Sequence, residues 1–274
     1  MSTIENKPLV SVIIPYYNHG SFIDETLSSI KAQGYDEFEV IIIDDCSTDP
    51  FSKEKLNQLM DKSITLLRTV ENSGPSVARN LGIAVAKGKY ILPLDGDDKL
   101  DEVFLADAVS MLETNPEIMV CYGNGQLFGA KEEVLNVVDF EQFTFVSYNP
   151  LFVTALIRKE ALEMVGYYDV FLSKLGLEDW DLWLGMGEKR FRFKKLQRSF
   201  LKIRVLEKSR TFEVANRNLD SIYPHIYTKH WQLLLEQYKA QAYRMTDLEK
   251  SREYKLGKLI LQPIKKLAKL IKKN

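Results

Sequence analysis

The chain has 274 residues, enough for one large α/β domain with an appendage or for two small domains. Apolar residues make up 45% and charged residues 27%, as in an ordinary globular protein, and no apolar run reaches the roughly 20 residues that a membrane span needs. The net charge of −1 hides an asymmetry: residues 255–274 hold seven lysines and no acid, so +7 there stands against −8 in the rest, and an acidic body without an aromatic–basic groove motif speaks against a nucleic-acid binder.

Met1 to Pro8 is polar and has no leader pattern. Leu9–Pro15 is a β-rich apolar run, and a helical pattern follows from Ser21 to about Gln33, with Ser21 and Asp24 spaced as a capping pair. Glu39–Asp44 predicts a second buried strand, Ser52–Asp61 a polar helix, Ile64–Thr69 a third strand, Gly74–Ala86 a helix and Tyr90–Leu94 a fourth strand. Strands that read as continuous apolar runs, alternating with helices, predict a parallel sheet covered on both faces. Ligands in such sheets bind beyond the carboxyl ends of the strands. Four polar clusters fall there: Tyr16–Asn18, Asp44–Asp49, Asn72–Gly74 and Asp95–Asp98.

A helix is expected at Glu102–Thr114 and strands at Met119–Phe128 and Phe143–Ile157. Glu178–Met186 reads as a helix, and Phe191–Leu196 and Phe200–Val205 as two short strands. From about Phe212 the pattern is helical, broken near Pro224 and Pro263. This divides the chain into an α/β domain over 1–211, with a nucleotide-binding half at 1–100, and a helical region over 212–274. Cys46 and Cys121 lack metal or redox spacing and read as thiols of a reducing compartment, which makes the cytoplasm the expected location.

The fourth strand ends in Asp95-Gly96-Asp97-Asp98. Gly96 permits a turn tight enough to aim Asp95 and Asp97 at one point, and crowded carboxylates repel unless a cation lies between them. Hard divalent ions take such oxygen ligands together with substrate phosphates. A solvated acidic turn is the alternative for an isolated pair of this kind. No G-x-G-x-x-G follows the first strand, which disfavours a dinucleotide oxidoreductase.

Val10-Ser-Val-Ile-Ile-Pro15-Tyr-Tyr17-Asn18, Ile43-Asp44-Asp45-Cys-Ser47-Thr-Asp49, Glu71-Asn72-Ser-Gly74-Pro-Ser-Val-Ala-Arg79-Asn80, Leu94-Asp95-Gly-Asp97-Asp98 and Glu178-Asp179-Trp-Asp181 occur in this order. In motifs, order and spacing the chain resembles the inverting glycosyltransferases of family 2, which have the GT-A fold. The resemblance is strong over residues 9–100, clear again at 166–186 and faint afterwards. It implies a Rossmann-like, mostly parallel sheet flanked by helices, a nucleotide-sugar donor (UDP-linked by expectation) and a Mn²⁺ or Mg²⁺ ion.

The resemblance places the nucleoside at Pro15, Tyr17 and Asp44. Asp44 would accept the imide N–H of a uracil and Tyr17 would stack on the base, unless Tyr17 is an ordinary half-buried aromatic. Asp45, Ser47 and Asp49 suit loop capping or ligand contact equally. Asn72 and Gly74 would shape the loop that lets the backbone approach the nucleotide. Arg79, near a helix N-terminus, would face the diphosphate or pair with Glu71 at the surface.

Asp95, with Gly96 beside it, is implied at the ribose and Asp97 at the metal, with Asp98 a support or a helix cap. Asp179 matches the base that takes a proton from the acceptor hydroxyl, with Glu178 and Trp180 implied at the acceptor. A charged helix N-terminus is the plain alternative for Glu178–Asp181. The late R-x-H-like stretch of many relatives has Leu206 in place of the histidine, leaving Arg204, Lys208 and Arg210 as mobile charges that could meet phosphate. His19, His225 and His230 have no metal-ligand spacing and read as incidental.

In Ile264–Asn274 apolar residues recur at i, i+3, i+4 and i+7 with lysines opposite. This fits a helix on an anionic membrane surface, or a solvated or partner-binding basic helix. Together these expectations describe transfer of a sugar to a glycan or lipid-linked acceptor at the inner face of the cell membrane, without nucleic acid as a partner. Their rivals are a nucleotide-sugar-binding protein without catalysis and a membrane-associated assembly component.

Overall fold

The structure, a computed structural model, describes residues 9–59, 64–140, 149, 151–206, 217–252 and 254. Contacts divide the chain into two units, Met1–His230 and Trp231–Asn274. The expected boundary at 211/212 falls on residues 207–216, outside the described ones.

In the first unit β1 (Val10–Tyr16), β2 (Phe38–Asp44), β3 (Ile64–Arg68) and β4 (Tyr90–Pro93) lie parallel in the order β3-β2-β1-β4. Helices α1 (Ile23–Lys31), α2 (Pro50–Gln58) and α3 (Pro75–Val85) connect them. Side chains alternate across a strand, so β1 serves two layers. Val10, Val12, Ile14 and Tyr16 join the core that holds Ile23, Leu27 and Ile30 of α1, while Ile13 is buried outside that cluster. On that other side α3 lies so close that a Cβ on Gly82 would meet Ile13 and Ile43 at 2.7 Å. The glycine lets α3 press onto the sheet, and this fixes where Arg79 emerges.

The sheet continues through β8 (Leu156–Arg158), β6 (Ile118–Gly129), β9 (Arg192–Val205) and β5 (Lys99–Leu100), with β7 (Glu133–Leu135) on β6. β9 is parallel to β6, whereas β5, β7 and β8 are antiparallel to their neighbours. The helices here are α4 (Phe104–Thr114), α5 (Lys159–Val165), α6 (Glu178–Glu188) and α7 (Leu219–Lys229). The second unit contains α8 (Trp231–Lys250), with Trp231, Tyr238 and Tyr243 exposed. No helix among the described residues is long and apolar enough to cross a membrane.

Four expectations of local structure are corrected. Ser21 caps nothing: α1 has Phe22 at its N-cap without a side-chain bond, and His19 O takes the amides of Phe22 and Ile23. The two late strands are one, because the register shift at Tyr122/Asn124 absorbs the extra residues between Lys195 and Phe200. Gly123 makes this possible, since a Cβ there would lie 2.4 Å from Ser199 O. Of the strand expected at Phe143–Ile157, residues 143–148 and 150 are outside the described ones and 151–155 are not strand, leaving Leu156–Arg158. Pro224 does not break its helix: it lies inside α7, where buried Ile222 and Ile226 anchor the turns on either side, and the break comes at His230. Pro263 and the lysine-rich end lie outside the described residues.

Candidate active site

The carboxyl ends of β1, β2 and β4 and the start of α3 are bonded together. Asn18, at φ 58°, accepts at Oδ1 from the amides of Thr48 and Asp49 and donates its own backbone N–H to Ser47 Oγ. Asp45 accepts from Ser73 N, Gly74 N and Thr69 Oγ1 at 2.7–2.9 Å. Asp49 caps α2 through Ser52 N. Asp45, Ser47 and Asp49 all make the loop-fastening bonds that are one of their two readings.

Gly74 has φ 85°, and a Cβ on it would lie 2.4 Å from Ser173 O, so no other residue fits. Ser173 Oγ then accepts from Ser76 N and Val77 N. The first-turn amides of α3 are therefore engaged with protein groups and do not await an anion.

The Asp95–Asp98 turn is held from three sides. Thr26 Oγ1, buried in α1, donates at the carbonyls of Gly96 and Asp98, 3.1 and 2.8 Å away. Gly96 packs beneath His19 and β1: a Cβ there would lie 2.6 Å from His19 Nδ1 and 3.3 Å from Pro15 O. Arg204 donates from its amide to Asp98 Oδ1 and from Nε to Asp97 O, and its guanidinium lies over Phe22 and Phe128. Arg204 is thus a fixed strut of the turn and not the mobile charge expected for it. Lys208 and Arg210 fall outside the described residues. Asp98 caps no helix and anchors Arg204. Burial, with Asp95 and Asp97 beside it, holds its carboxyl well above the usual range. Burial also raises Asp97, a shift opposed by His19 and reinforced by Asp95.

Arg79 joins this turn to α6. Its side chain is 3% exposed, and it donates from Nη2 to Asp95 Oδ1 at 2.7 Å and from Nη1 to Glu178 Oε1 at 2.8 Å. Burial opposes its charge, but Asp95 and Glu178 outweigh that and keep it protonated. The guanidinium also lies over the ring of Tyr168, 5.3 Å from its centroid. Arg79 is not a surface partner of Glu71: its guanidinium bridges Asp95 and Glu178. It is a strut between two motifs, and Glu178, expected at the acceptor, gives one carboxylate oxygen, Oε1, to it.

Leu177, left-handed at φ 61° after Gly176 at φ 99°, turns the chain into α6. Asp179 follows in the first turn, half-buried, with Oδ1 accepting from Trp180 N. Burial and the neighbouring charge of Glu178 push its carboxyl up to about 7. Trp180 lies about 100° further round the helix and faces away. It is 1% exposed and stands edge-on to Tyr223 and Tyr227 of α7, so it is a packing residue and not the acceptor contact expected. Asp44 is 4% exposed, with Oδ1 on Ser47 N and Oδ2 3.1 Å from the exposed Arg68. Pro15 is buried within β1, and Tyr17 and Asn72 are half-buried in the loops that follow β1 and β3. Both cysteines are free thiols, that of Cys121 raised to about 12 by burial.

The family model for glycosyl transferase family 2 matches residues 11–150, more than half of the chain. The chain belongs to glycosyl transferase family 2. Among curated relatives, an uncharacterized glycosyltransferase of Haemophilus influenzae is 30% identical over 172 residues, 60% of this chain and 68% of that protein. The putative teichuronic acid biosynthesis glycosyltransferase TuaG of Bacillus subtilis is 45% identical over 95 residues, 34% of this chain and 37% of its own.

Among solved structures, TarS 1-349 of S. aureus in complex with UDP-GlcNAc superposes with a TM-score of 0.62 at 22% identity, covering 74% of this chain and 60% of that one. The mannosyltransferase PcManGT of Pyrobaculum calidifontis, in complex with GDP-Man and Mn²⁺, gives 0.58 at 18% identity over 92% and 83%. These likenesses establish the GT-A type of fold. The chain spans about a third of TuaG and about two thirds of the Haemophilus protein.

No local sequence signal marks Thr26, His19, Arg204 or Tyr168 as a site-building residue. Each acts through a partner far along the chain, and no local pattern announces such contacts.

Proposed function

We propose that this family 2 chain transfers a sugar, with inversion, from a UDP-linked donor to a hydroxyl of a glycan or lipid-linked acceptor. The observation that carries the reading is the Arg79 bridge, which brings the Asp95–Asp97 turn and the Glu178–Asp179 helix start onto one guanidinium. In this reading Asp179 is the base. A carboxyl with a pKa near 7 ionises near neutral pH and is basic enough to take a proton from an acceptor hydroxyl as it attacks.

A divalent ion fits the turn, because Asp97 and its neighbours offer hard oxygens whose mutual repulsion and burial leave them short of positive charge. Among the described residues no three His, Cys, Asp or Glu side chains converge as a complete ligand set, so Asp97 would share the ion with donor phosphate oxygens. The ion would neutralise charge on the leaving diphosphate. Asp44 remains the uracil acceptor in this reading, since an imide N–H would take the place of Arg68, whose exposed side chain can swing back into solvent. Tyr17 and Pro15 would form the wall at the base.

Residues 255–274 would rest on an anionic membrane surface through their seven lysines and the apolar stripe of Ile264, Leu267, Ala268 and Ile271. That would set the protein at the inner face of the membrane, near a lipid-linked acceptor. Turnover of UDP-sugars with Mn²⁺, followed by NMR of the product anomer, tests the reading. It expects inversion and dependence on Asp179. Retention, or equal turnover in Asp179→Asn, would remove it.

A further inference from the structure

Asp181 lies two residues beyond Asp179 on α6 and is 2% exposed. Residues at the end of α7 take both of its oxygens: His230 Nε2 is 2.9 Å from Oδ1, and Lys229 Nζ donates to Oδ2 at 2.7 Å. The other ring nitrogen of His230, Nδ1, lies 3.0 Å from Glu188 Oε1 at the last turn of α6. One imidazole therefore spans the helix from its first turn to its last. It can donate to both carboxylates only when protonated. Burial works against that charge, but the bonds to Asp181 and Glu188 outweigh it and raise the pKa of His230 above the ordinary histidine range.

The same brace reaches the segment behind Arg79. Lys229 Nζ donates to Asp169 Oδ2 at 2.8 Å, and His225 Nε2 lies 2.9 Å from that oxygen. These bonds overcome the effect of burial and draw Asp169 down to about 2. Asp169 directly follows Tyr168, the ring beneath the Arg79 guanidinium. So α7 is bonded both to the helix that opens with Glu178-Asp179 and to the strip of chain that supports Arg79.

We propose that His230 is a positioning residue for transfer: by gripping Asp181 and Glu188 together it fixes the rotation of α6 about its axis, and with it the aim of Asp179. The proposal rests on Asp179 being the base. Asp179 and Asp181 are about 200° apart on the same rigid helix, so any turn that slackens Asp181 swings Asp179 equally. A misplacement of about 1 Å at a reacting group can cost about 10²-fold in rate.

Among the described residues, Asp181 and Glu188 on α6 bond to His230, and Lys189 just past α6, Lys229 on α7 with Asp169 behind it, and Tyr167 line the cavity of about 220 Å³ that His230 also lines. The carboxylates favour the imidazolium and the two lysines oppose it. Loss of the proton turns one ring nitrogen into an acceptor facing a carboxylate, and one of the two grips opens. Turnover accordingly has an alkaline limb set by His230, opposite in sense to the acid limb set by Asp179.

The test is steady-state turnover of UDP-GlcNAc, or of whichever UDP-sugar the wild type accepts, with Mn²⁺ from pH 6 to 10. The full chain is compared with its Asp179→Asn, His230→Gln and Asp181→Asn variants. A Gln amide can donate to Asp181 but has no proton to lose. His230→Gln should turn over about 10- to 100-fold more slowly with donor KM within about twofold, and its alkaline limb should vanish. Asp181→Asn should keep the limb but shift it to lower pH, a readout that stands even if His230→Gln does not fold. An unchanged alkaline limb in both variants, or a loss confined to KM, would overturn the proposal while inactive Asp179→Asn leaves the base reading standing. Wild-type turnover in Asp179→Asn would sink the base reading and this proposal with it.

Discussion

Arg79 and Glu178, 99 residues apart in the chain, meet at 2.8 Å inside the first unit, and the same guanidinium holds Asp95 at 2.7 Å. The acidic turn after β4 and the acidic start of α6 thereby become one site. Without Arg79 the two carboxylates would face each other across a partly buried gap. Arg79→Met should lower stability by about 3 kcal/mol, because breaking a buried pair strands a charge. In a chain of this size that amounts to a fall in Tm of roughly 6–12 °C. Arg79→Lys keeps the charge but cannot fork to both partners, so it should recover much of the Tm and little of the turnover. Calorimetry beside kinetics checks both, and a Lys variant with wild-type rate would refute the strut.

Asp179→Asn should reduce turnover by about 10²–10⁴-fold while UDP affinity with Mn²⁺ stays within about twofold. Stability should move the opposite way. The folded pKa of about 7 lies above the ordinary carboxylate value, so the stabilising contribution of this group is complete at low pH and is lost as pH rises through 7. At pH 8 the Asn variant should therefore be the more stable, by on the order of 1–3 kcal/mol, and near pH 4 the difference should vanish. Melting curves at the two pH values decide it. Equal Tm differences at both would show that Asp179 is not strained by ionisation.

Wild-type turnover should rise with pH through about 7 if, as proposed, the carboxylate of Asp179 is the group that accepts the proton. Rate profiles at saturating donor test this. A rate flat between pH 5 and 8 would take the acid limb away from Asp179.

Thr26→Val keeps shape but removes the donor to the carbonyls of Gly96 and Asp98. A loss of about 1–3 kcal/mol is expected, with Mn²⁺-dependent UDP binding weakened because the acidic turn loosens. Urea unfolding and calorimetric titration read the two effects. An unchanged midpoint would mean that the turn does not depend on α1.

Removal of residues 255–274 should reduce association with vesicles of anionic lipid at low salt, each lysine contributing on the order of 1 kcal/mol. Sedimentation of the full and shortened chains with such vesicles measures it. Equal partitioning would leave the tail to another partner.

The first hundred residues were legible because β1, β2 and β4 are buried on both faces and so read as unbroken apolar runs. Their polar ends then fell together by the topology of a parallel sheet. The fastenings were not legible. Thr26 looks like any helix threonine, Asp45 like a loop acid, and Arg204 like a surface charge, until folding brings each to a partner tens of residues away. Trp180 was misjudged for a related reason: adjacency to Asp179 in sequence means about 100° of separation on a helix, and that turn carries it to Tyr223 and Tyr227. Pro224 misled because a single missing amide bond weighs less than two buried isoleucines beside it.

The most direct test of the whole account is calorimetric titration of UDP, with and without Mn²⁺, into the wild type and the Asp97→Ala and Asp179→Asn variants. Mn²⁺ should tighten UDP binding in the wild type and in Asp179→Asn, and that gain should fall at least tenfold, about 1.4 kcal/mol, in Asp97→Ala. A gain undiminished in Asp97→Ala would contradict a divalent ion held at the acidic turn.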